Sequence, residues 1–381
     1  MISRDKYLNI VQRKLKSNPV VSILGPRQVG KTTLARMVVQ GKSHYFDLED
    51  PLVMDRMAQP KTVLEPLKGL VIIDEIQRKP ELFPLLRVLA DRHPLRAHFL
   101  ILGSASPTLI REISESLAGR ISFVDLHGFD LSEVGTSAYR KLWWRGGYPR
   151  SFLAGSDSLS REWRADLMRT FLERDVPQLG ITIPASTLRR FWSMVAHYHG
   201  QIWNAADFAR SLGTAEATAR RYLDILASTF MVRQLPPWFE NLGKRQVKAP
   251  KIYIRDTGLL HALLNLDSFA ALEGHPKLGA SWEGFALEQV LRMTGDHDAW
   301  FWATHAGAEL DLMIQYKGKR IGFEFKYGDA ATLTKSMHTA LHDLKLEKLF
   351  VVYPGKESYP LRDKVEAVSI LHLRDKLSHL R

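Results

Sequence analysis

The stretch Gly25-Pro26-Arg27-Gln28-Val29-Gly30-Lys31-Thr32-Thr33 decides the fold of the first third of this 381-residue chain. It fits the pattern G-x-x-x-x-G-K-[ST] at every position. The apolar run at residues 20–24 predicts a strand buried on both faces, and the apolar spacing after the stretch predicts a helix. Glycines let main-chain N–H groups turn inward around phosphates, and a helix start adds a favourable dipole. The nine residues therefore predict a phosphate-binding loop between a strand and a helix.

Four side chains in and near this loop have predicted chemical tasks. Lys31 should reach the β- and γ-phosphates of ATP, and the Thr32 hydroxyl should ligate Mg²⁺. A second apolar run, residues 70–73, ends in Asp74 and Glu75. We predict that Asp74 holds the Mg²⁺ shell and that Glu75 polarises the attacking water. A glycine loop without a ligand is the alternative, and the Asp-Glu pair argues against it.

A third apolar run, residues 99–102, is followed by Ser104. Because ligands in open parallel sheets bind beyond the carboxyl ends of the strands, we predict that Ser104 contacts the γ-phosphate or the attacking water. Residues 45–48 and 122–126 should supply the remaining strands. The fold class predicted for the first third is therefore an α/β domain built on a parallel sheet.

Composition excludes several classes of protein. With no cysteine there is no disulfide framework, thiol nucleophile or cysteine-ligated metal. The apolar runs are far shorter than the ~18–20 residues of a membrane span, so we expect a soluble, cytoplasmic protein without a membrane partner. The formal net charge of +12 divides into +4 for residues 1–135, +8 for residues 136–250 and 0 for residues 251–381. A polyanionic partner for the middle third is therefore a hypothesis.

The motifs of residues 15–135 resemble those of AAA-type P-loop ATPases. The resemblance implies a helical lid after the core and an arginine supplied by a neighbouring subunit of a homo-oligomer. Arg120 is the best match for that catalytic arginine, and an ordinary surface arginine is the alternative.

The basic middle third contains a helix-turn-helix pattern. Residues 205–212 have helical spacing and end at Gly213, and residues 215–227 predict a second helix capped by Thr214. Residues 229–235 and 251–254 predict two strands joined by a basic wing, so that the second helix would enter a DNA groove and the wing would meet phosphates. The residues predicted to bind DNA are Thr218, Arg220, Arg221, Lys244, Arg245 and Lys248. Such domains on P-loop ATPases also act as lids or protein-binding modules, so a protein partner is the alternative.

Two alternating segments near the C-terminus predict a β-hairpin. Lys317 and Gly318 fit its two-residue turn, and counting back from this turn puts Asp311 opposite Glu324 with Cβ atoms ~5 Å apart. Facing carboxylates repel each other unless a cation lies between them. Either Lys326 or a Mg²⁺ ion bound by Asp311 and Glu324 would supply that charge.

The arrangement Asp311 … Glu324-Phe325-Lys326 resembles the D…(D/E)-x-K motif of restriction-endonuclease-like nucleases. The resemblance implies that both carboxylates hold a second Mg²⁺, that Lys326 assists the water, and that Glu283 adds a carboxylate from the preceding helix. An inactive copy of the fold and a purely structural hairpin are the alternatives.

Over its whole length the chain resembles bacterial and archaeal AAA-superfamily ATP-binding proteins that carry an uncharacterised, nuclease-like C-terminal domain. Residues 145–149, 235–238 and 248–259 carry this resemblance beside the motifs above. It implies an AAA-type core at 1–135, a helical lid at 136–180, a winged helix-turn-helix at 181–255 and a restriction-endonuclease-like α/β domain at 256–381. We expect an oligomeric Mg²⁺- and ATP-dependent ATPase that translocates along or remodels DNA. The alternative is a regulatory switch whose winged helix binds a protein.

Overall fold

A computed structural model describes residues 2–39, 41–104, 107–239, 247–295, 298–328 and 332–378, with backbone alone at 107, 108 and 110. Lys244 and Arg245 of the predicted wing lie outside the described residues. The chain forms two compact units, Met1–Gly128 with Ser228–Phe230 and Phe129–Ala227 with Met231–Arg381. Among the described residues, no helix has the length and apolar character needed to cross a bilayer.

The first unit is built on a five-stranded parallel sheet. Its elements are α1 Asp5–Ser17, β1 Val20–Gly25, α2 Lys31–Val38, β2 Ser43–Asp47, α3 Pro51–Arg56, α4 Pro60–Leu64, β3 Gly69–Asp74, α5 Leu82–Ala90, β4 Ala97–Ser104, α6 Pro107–Leu117 and β5 Ile121–Asp125. The strand order is β2-β3-β4-β1-β5, and every pairing is parallel. All six residues of β1 are buried. The five predicted strands are thus confirmed, because continuous apolar runs suit strands covered on both faces.

The second unit contains two sheets and a larger set of helices. Its elements are α7 Leu131–Val134, α8 Tyr139–Arg145, α9 Pro149–Phe152, α10 Asp157–Thr170, α11 Val176–Gln178, α12 Ala185–His197, β6 Gln201–Ile202, α13 Ala205–Leu212, α14 Glu216–Ser228, β7 Val232–Leu235, β8 Lys251–Ile254, α15 Thr257–Leu263, α16 Phe269–Glu273, α17 Leu278–Thr294, β9 Ala299–Ala303, β10 Glu309–Tyr316, β11 Lys319–Phe325, α18 Lys335–Asp343, β12 Lys348–Tyr353, β13 Tyr359–Arg362, β14 Val365–Ser369 and α19 Leu373–Ser378. The last residue of α14 belongs to the first unit.

Helices α13 and α14 lie at the positions predicted for the helix-turn-helix. Gly213 follows α13 with φ +67°, the left-handed conformation that glycine adopts without strain. The strand predicted to begin at residue 229 is wrong in its start, because α14 continues through Ser228 and Phe230 has φ +63°. Strand β7 begins at Val232 and pairs antiparallel with β8, which also pairs with β6.

The second sheet has the order β13-β14-β12-β11-β10-β9. Its hairpin β10–β11 turns at Lys317 and Gly318, which have φ +50° and +76°. Tyr316 pairs with Lys319, as predicted, and the ladder runs back to Leu312 opposite Phe323. One further step along this register brings Asp311 opposite Glu324.

Candidate functional site

The loop at residues 25–30 leaves β1 and enters α2, and its two motif glycines have different structural reasons. A Cβ atom on Gly25 would lie 2.2 Å from the carbonyl oxygen of Leu126, so only glycine allows this close approach. Gly30 has φ +95° immediately before α2. Both positions therefore require glycine for the backbone path of the loop. The Val29 carbonyl accepts a hydrogen bond from the buried Arg4 guanidinium at 3.0 Å, and this bond holds the loop backbone in place.

The loop lysine folds back onto its own loop. Its Nζ donates to the carbonyl oxygens of Gly25 and Pro26, both at 3.0 Å, and its side chain is buried. Gln28 and Thr33 of the same stretch are exposed, whereas Pro26 and Val29 are buried. The ammonium group is thus held at the mouth of the loop, where the main-chain N–H groups of the α2 start also lie.

Asp74 connects the loop with two neighbouring strands. Its Oδ2 accepts hydrogen bonds from Thr32 Oγ1 and Tyr45 OH, each at 2.7 Å. Its Oδ1 accepts from the Glu75 main-chain N–H at 2.9 Å. The structure therefore brings Thr32 and Asp74 together as predicted, and it adds Tyr45, which sequence reasoning missed. Tyr45 lies in β2, next to β3, and only the strand order reveals that neighbour.

Glu75 is partly buried beside polar neighbours at the same sheet edge. It adopts φ +54°, and its carboxylate contacts the Gln77 side-chain amide. Burial raises the pKa of Glu75, while the positive charge of Lys31 opposes that rise. Arg27 Nη2 lies 3.9 Å from Glu75 Oε2 and 3.6 Å from Glu49 Oε1. A carboxylate in this setting can accept a proton from a water molecule near the loop.

The two remaining predicted ATPase residues lie at opposite ends of the sheet. Ser104 ends β4 and pairs with Gly25, so it borders the loop. Its Oγ is buried and has no hydrogen-bond partner among the described residues. Arg120 precedes β5 at the amino end of the sheet, where its guanidinium pairs with Asp91 at 2.5 and 2.8 Å. The structure therefore brings Ser104 to the loop and leaves Arg120 away from it within one chain.

The site residues fit a nucleoside triphosphate with Mg²⁺. Lys31 supplies a cation, the start of α2 supplies N–H donors, and Thr32 with Asp74 supplies the oxygen ligands that Mg²⁺ prefers. The unpaired buried hydroxyl of Ser104 is a further polar group beside the loop.

The predicted DNA-binding residues lie on α14 and after β7. Arg220, Arg221 and Lys248 are exposed, and Thr218 is half-buried. The Arg220 guanidinium lies 3.7 Å from the carboxylate of Glu216, one turn earlier on the same helix. The described part of this surface thus carries both arginines and a carboxylate.

The hairpin carboxylates and Glu283 also come together. We call Glu283, Glu309, Asp311 and Glu324 the carboxylate cluster. Lys326 Nζ lies 2.9 Å from Glu324 Oε2, and Asp311 Oδ2 accepts the Phe325 N–H at 3.0 Å. Burial and the nearby Asp311 raise the pKa of Glu283 to about 7 and that of Glu324 to about 8.

A second lysine, which the sequence did not predict, enters the same cluster. Lys251 Nζ lies 3.2 Å from Glu283 Oε1 and 3.5 Å from Asp311 Oδ1, and it also pairs with Glu309. Tyr253 OH donates to Glu283 Oε1 at 2.6 Å. Lys251 and Tyr253 share one face of β8, and their period-two spacing was the only sequence signal. In the part of the chain that the structure describes, no three His, Asp or Glu side chains form a group that could hold a metal ion.

Comparison with known proteins divides the chain into three matched regions. Residues 17–135 match a family model described as an AAA domain. Residues 136–270 and 278–373 match two domains of unknown function, DUF8612 and DUF4143.

Two curated mycobacterial proteins resemble nearly the whole chain. They are the uncharacterized proteins Rv2008c of Mycobacterium tuberculosis and Mb2031c of Mycobacterium bovis, each 54% identical over 371 residues. The alignment covers 97% of this chain and 84% of each relative. Among solved structures, the Walker-type ATPase PABY2304 of Pyrococcus abyssi matches with a TM-score of 0.50 and 15% identity, over 69% of this chain and 96% of that one. This last similarity concerns the fold alone.

Proposed function

The chain belongs to the family of AAA-domain proteins that includes Rv2008c of Mycobacterium tuberculosis, and within that family we propose an ATPase that acts on DNA. It is a P-loop ATPase of AAA type. The observation that carries the hydrolytic part of the proposal is the convergence of Lys31, Thr32, Asp74 and Glu75 at one edge of the parallel sheet.

Each of these residues has a defined task in hydrolysis. Lys31 exchanges its two main-chain carbonyl partners for phosphate oxygens and offsets their charge. Thr32 and Asp74 would hold Mg²⁺, which neutralises charge on the phosphates when bound. Glu75 accepts a proton from the attacking water, and Ser104 orients that water or the terminal phosphate.

A catalytic contribution from Arg120 requires a second copy of the chain. Its guanidinium is paired with Asp91, and it precedes β5 at the amino end of the sheet, whereas the loop follows the carboxyl end of β1. The proposed homo-oligomer would have to place Arg120 of one copy at the loop of the next.

The DNA part of the proposal rests on the middle third of the chain. That third carries the +8 charge, its helix α14 exposes Arg220 and Arg221, and Lys248 of the predicted wing is exposed as well. We assign phosphate contacts to Lys248 and to the wing residues Lys244 and Arg245, and groove contacts to Thr218, Arg220 and Arg221. DNA would then either stimulate ATP hydrolysis or be moved or remodelled by it.

A protein partner is the second candidate, and one observation favours it. The exposed face of α14 carries Glu216 and Asp224 beside Arg220 and Arg221, so its acidic and basic groups are equal in number. Glu216 lies within 3.7 Å of Arg220. A face with balanced charge lacks the basic excess of a phosphate-binding surface and suits the polar rim of a protein interface.

One assay tests the proposal: ATP hydrolysis with and without single-stranded, duplex and branched DNA, with a sizing measurement in parallel. We expect DNA to stimulate hydrolysis in the wild type and Lys31→Ala to abolish nucleotide binding. Glu75→Gln should retain nucleotide and lose hydrolysis by 10²-fold or more, in the range of about 10²–10⁴ for a lost general base. Arg220→Ala combined with Arg221→Ala should weaken DNA binding and make its dependence on salt concentration shallower, since two cations are removed from the interface.

The matched control is Arg111→Ala combined with Arg169→Ala. These exposed arginines each pair with a glutamate four residues away, as Arg220 does, and they lie outside the helix-turn-helix. If no form of DNA changes the hydrolysis rate and no DNA binding is detected at low salt, the DNA proposal is excluded and a protein partner is favoured. Retained nucleotide binding in Lys31→Ala would refute the hydrolytic assignment itself.

A further inference from the structure

The ammonium group of Lys251 lies inside the carboxylate cluster. Its Nζ lies 3.2 Å from Glu283 Oε1 and 3.5 Å from Asp311 Oδ1, and Glu309 supplies a third carboxylate contact. An ammonium group has three N–H donors, so three carboxylates can satisfy it completely.

The lysine is buried and charged. Only 4% of its side chain is exposed. Burial alone would lower the pKa of Lys251, but the acidic groups around it raise that pKa well above its usual value. A buried ammonium group is tolerated only where carboxylates pair with it closely, and removal of either side leaves an uncompensated buried charge. Lys251 and the carboxylate cluster therefore each compensate the buried charge of the other.

Main-chain pairing fixes the position from which Lys251 reaches the cluster. Lys251 lies at the start of β8, the central strand of its sheet, where it pairs with Ile202 on one side and Leu235 on the other. Its ammonium group also lies 5.8 Å from the centre of the Phe301 ring. Because both neighbouring strands hold the backbone, the Cα atom from which the Lys251 side chain extends is fixed beside the cluster.

Three of the carboxylate oxygens that a metal ion could use already accept hydrogen bonds from protein groups. Glu283 Oε1 accepts from both Tyr253 OH and Lys251, and Asp311 Oδ2 accepts the Phe325 N–H at 3.0 Å. Glu324 Oε2 lies 2.9 Å from Lys326 Nζ. A Mg²⁺ ion needs about six oxygen ligands at ~2.0–2.1 Å with nearly octahedral geometry.

We propose that Lys251 is the resident cation of the carboxylate cluster and takes the place that a divalent metal ion would need. The cluster then joins β8 to the hairpin β10–β11 and to α17 as a metal-independent contact. Of the three interpretations of the D…(D/E)-x-K arrangement, this one excludes the active, metal-dependent nuclease. The inference is independent of the ATPase proposal, because it concerns residues of the second unit alone.

The test uses nucleotide-free, full-length protein and Mn²⁺ or Mg²⁺ as the probe. We expect thermal unfolding of the wild type to be unchanged by millimolar metal, and equilibrium Mn²⁺ binding to be the same in the wild type and Asp311→Asn. Lys251→Met keeps the length of the side chain and removes its charge, so it should lower the Tm in metal-free buffer. Millimolar Mn²⁺ should then raise the Tm of Lys251→Met by about 5 °C. Adding Asp311→Asn to Lys251→Met should remove that increase.

The control is Lys348→Met, which removes a lysine that pairs with Glu366 outside the cluster and should create no response to Mn²⁺. A folded Lys251→Met that ignores Mn²⁺ would contradict the proposal. If Lys251→Met does not fold, Mn²⁺ binding and nuclease assays on the wild type and Asp311→Asn decide the question. Wild-type Mn²⁺ binding that Asp311→Asn removes, or Mg²⁺-dependent cleavage of DNA or RNA that Asp311→Asn abolishes, would overturn the proposal.

Discussion

Asp74 illustrates how one side chain depends on neighbours from separate strands. Its Oδ2 receives the hydroxyl groups of Thr32 and Tyr45, both at 2.7 Å. Thr32 is a predicted magnesium ligand, whereas Tyr45 lies in β2 and its hydroxyl bonds only to Asp74 among the described residues. The Tyr45 hydroxyl therefore holds the Asp74 carboxylate in one orientation, and the Thr32 hydroxyl donates to the same carboxylate oxygen. This makes Tyr45 a positioning residue for the metal-binding oxygen.

Tyr45→Phe should weaken the contribution of Mg²⁺ to nucleotide affinity about fivefold, because a hydrogen bond to a charged group contributes roughly 1 kcal/mol or more. Nucleotide affinity measured in EDTA should stay unchanged, since among the described residues the Tyr45 hydroxyl bonds only to Asp74. Titration of a fluorescent ADP analogue in both buffers measures the difference. Tyr139→Phe, whose ring packs on Trp282 in the second unit, is the control. An equal loss of affinity in EDTA would show that Tyr45 supports the loop rather than the carboxylate.

At the scale of elements, a buried histidine joins three helices. His261 of α15 makes hydrogen bonds to the Trp144 carbonyl in α8 at 3.0 Å and to Ser281 Oγ in α17 at 2.8 Å. A carbonyl only accepts, so Nδ1 carries the proton and Nε2 accepts from Ser281. Ser281 Oγ in turn accepts the Trp143 indole N–H at 2.9 Å. This network satisfies every polar group only while His261 is neutral.

The pKa of His261 is lowered to about 3, chiefly by burial; the hydrogen bond to the Trp144 carbonyl opposes this shift, and the positive charge of Arg164 adds to it. The unfolded chain takes up a proton near pH 6.5 and the folded chain does not, so stability is lost as the pH falls from 7.5 to 5. His261→Gln should remove roughly 2 kcal/mol of that loss, while His199, whose pKa is also lowered to about 3, still contributes.

Urea unfolding of both proteins at pH 7.5 and pH 5 measures this difference. His305→Gln alters an exposed histidine and should leave the pH dependence as it is in the wild type. The interpretation fails if His261→Gln and the wild type lose the same stability on acidification.

At the scale of the whole molecule, the first unit is not continuous in sequence. Ser228–Phe230 return to it about a hundred residues after Gly128. The Phe230 ring lies 5.7 Å from the His127 ring and packs against the core of the parallel sheet. The ATPase unit is therefore completed by a segment that belongs, by sequence, to the end of the helix-turn-helix.

Phe230→Ala should lower the Tm of the first unit by about 5 °C, because it removes apolar contacts from that core. Calorimetry identifies the transition of the first unit as the one that added nucleotide raises. Phe239→Ala, which truncates an exposed phenylalanine, should leave this transition in place. A lower Tm in the other transition alone would assign Phe230 to the second unit.

Local patterns predicted much of this architecture. The loop, the five parallel strands and the hairpin register follow from residues close in sequence, so Lys317 and Gly318 suffice to bring Asp311 near Glu324. Tyr45 and Lys251 could not be predicted, since their partners lie 29 and 60 positions away and depend on strand order and sheet placement. The return of Phe230 to the first unit has the same cause. The roles of Arg220, Arg221 and Arg120 stay predictions.

The origin of Lys251 in β8 has a practical consequence for dissecting the protein. A fragment cut at the predicted boundary between residues 255 and 256 would keep Glu283, Glu309 and Asp311 and lose Lys251, which pairs with all three. Such a fragment would hold these three neighbouring carboxylates without the Lys251 ammonium group. It would therefore attract divalent ions. Metal uptake or cleavage measured on that piece would be a property created by the cut. Metal binding and cleavage by this domain therefore have to be measured on protein that includes Lys251.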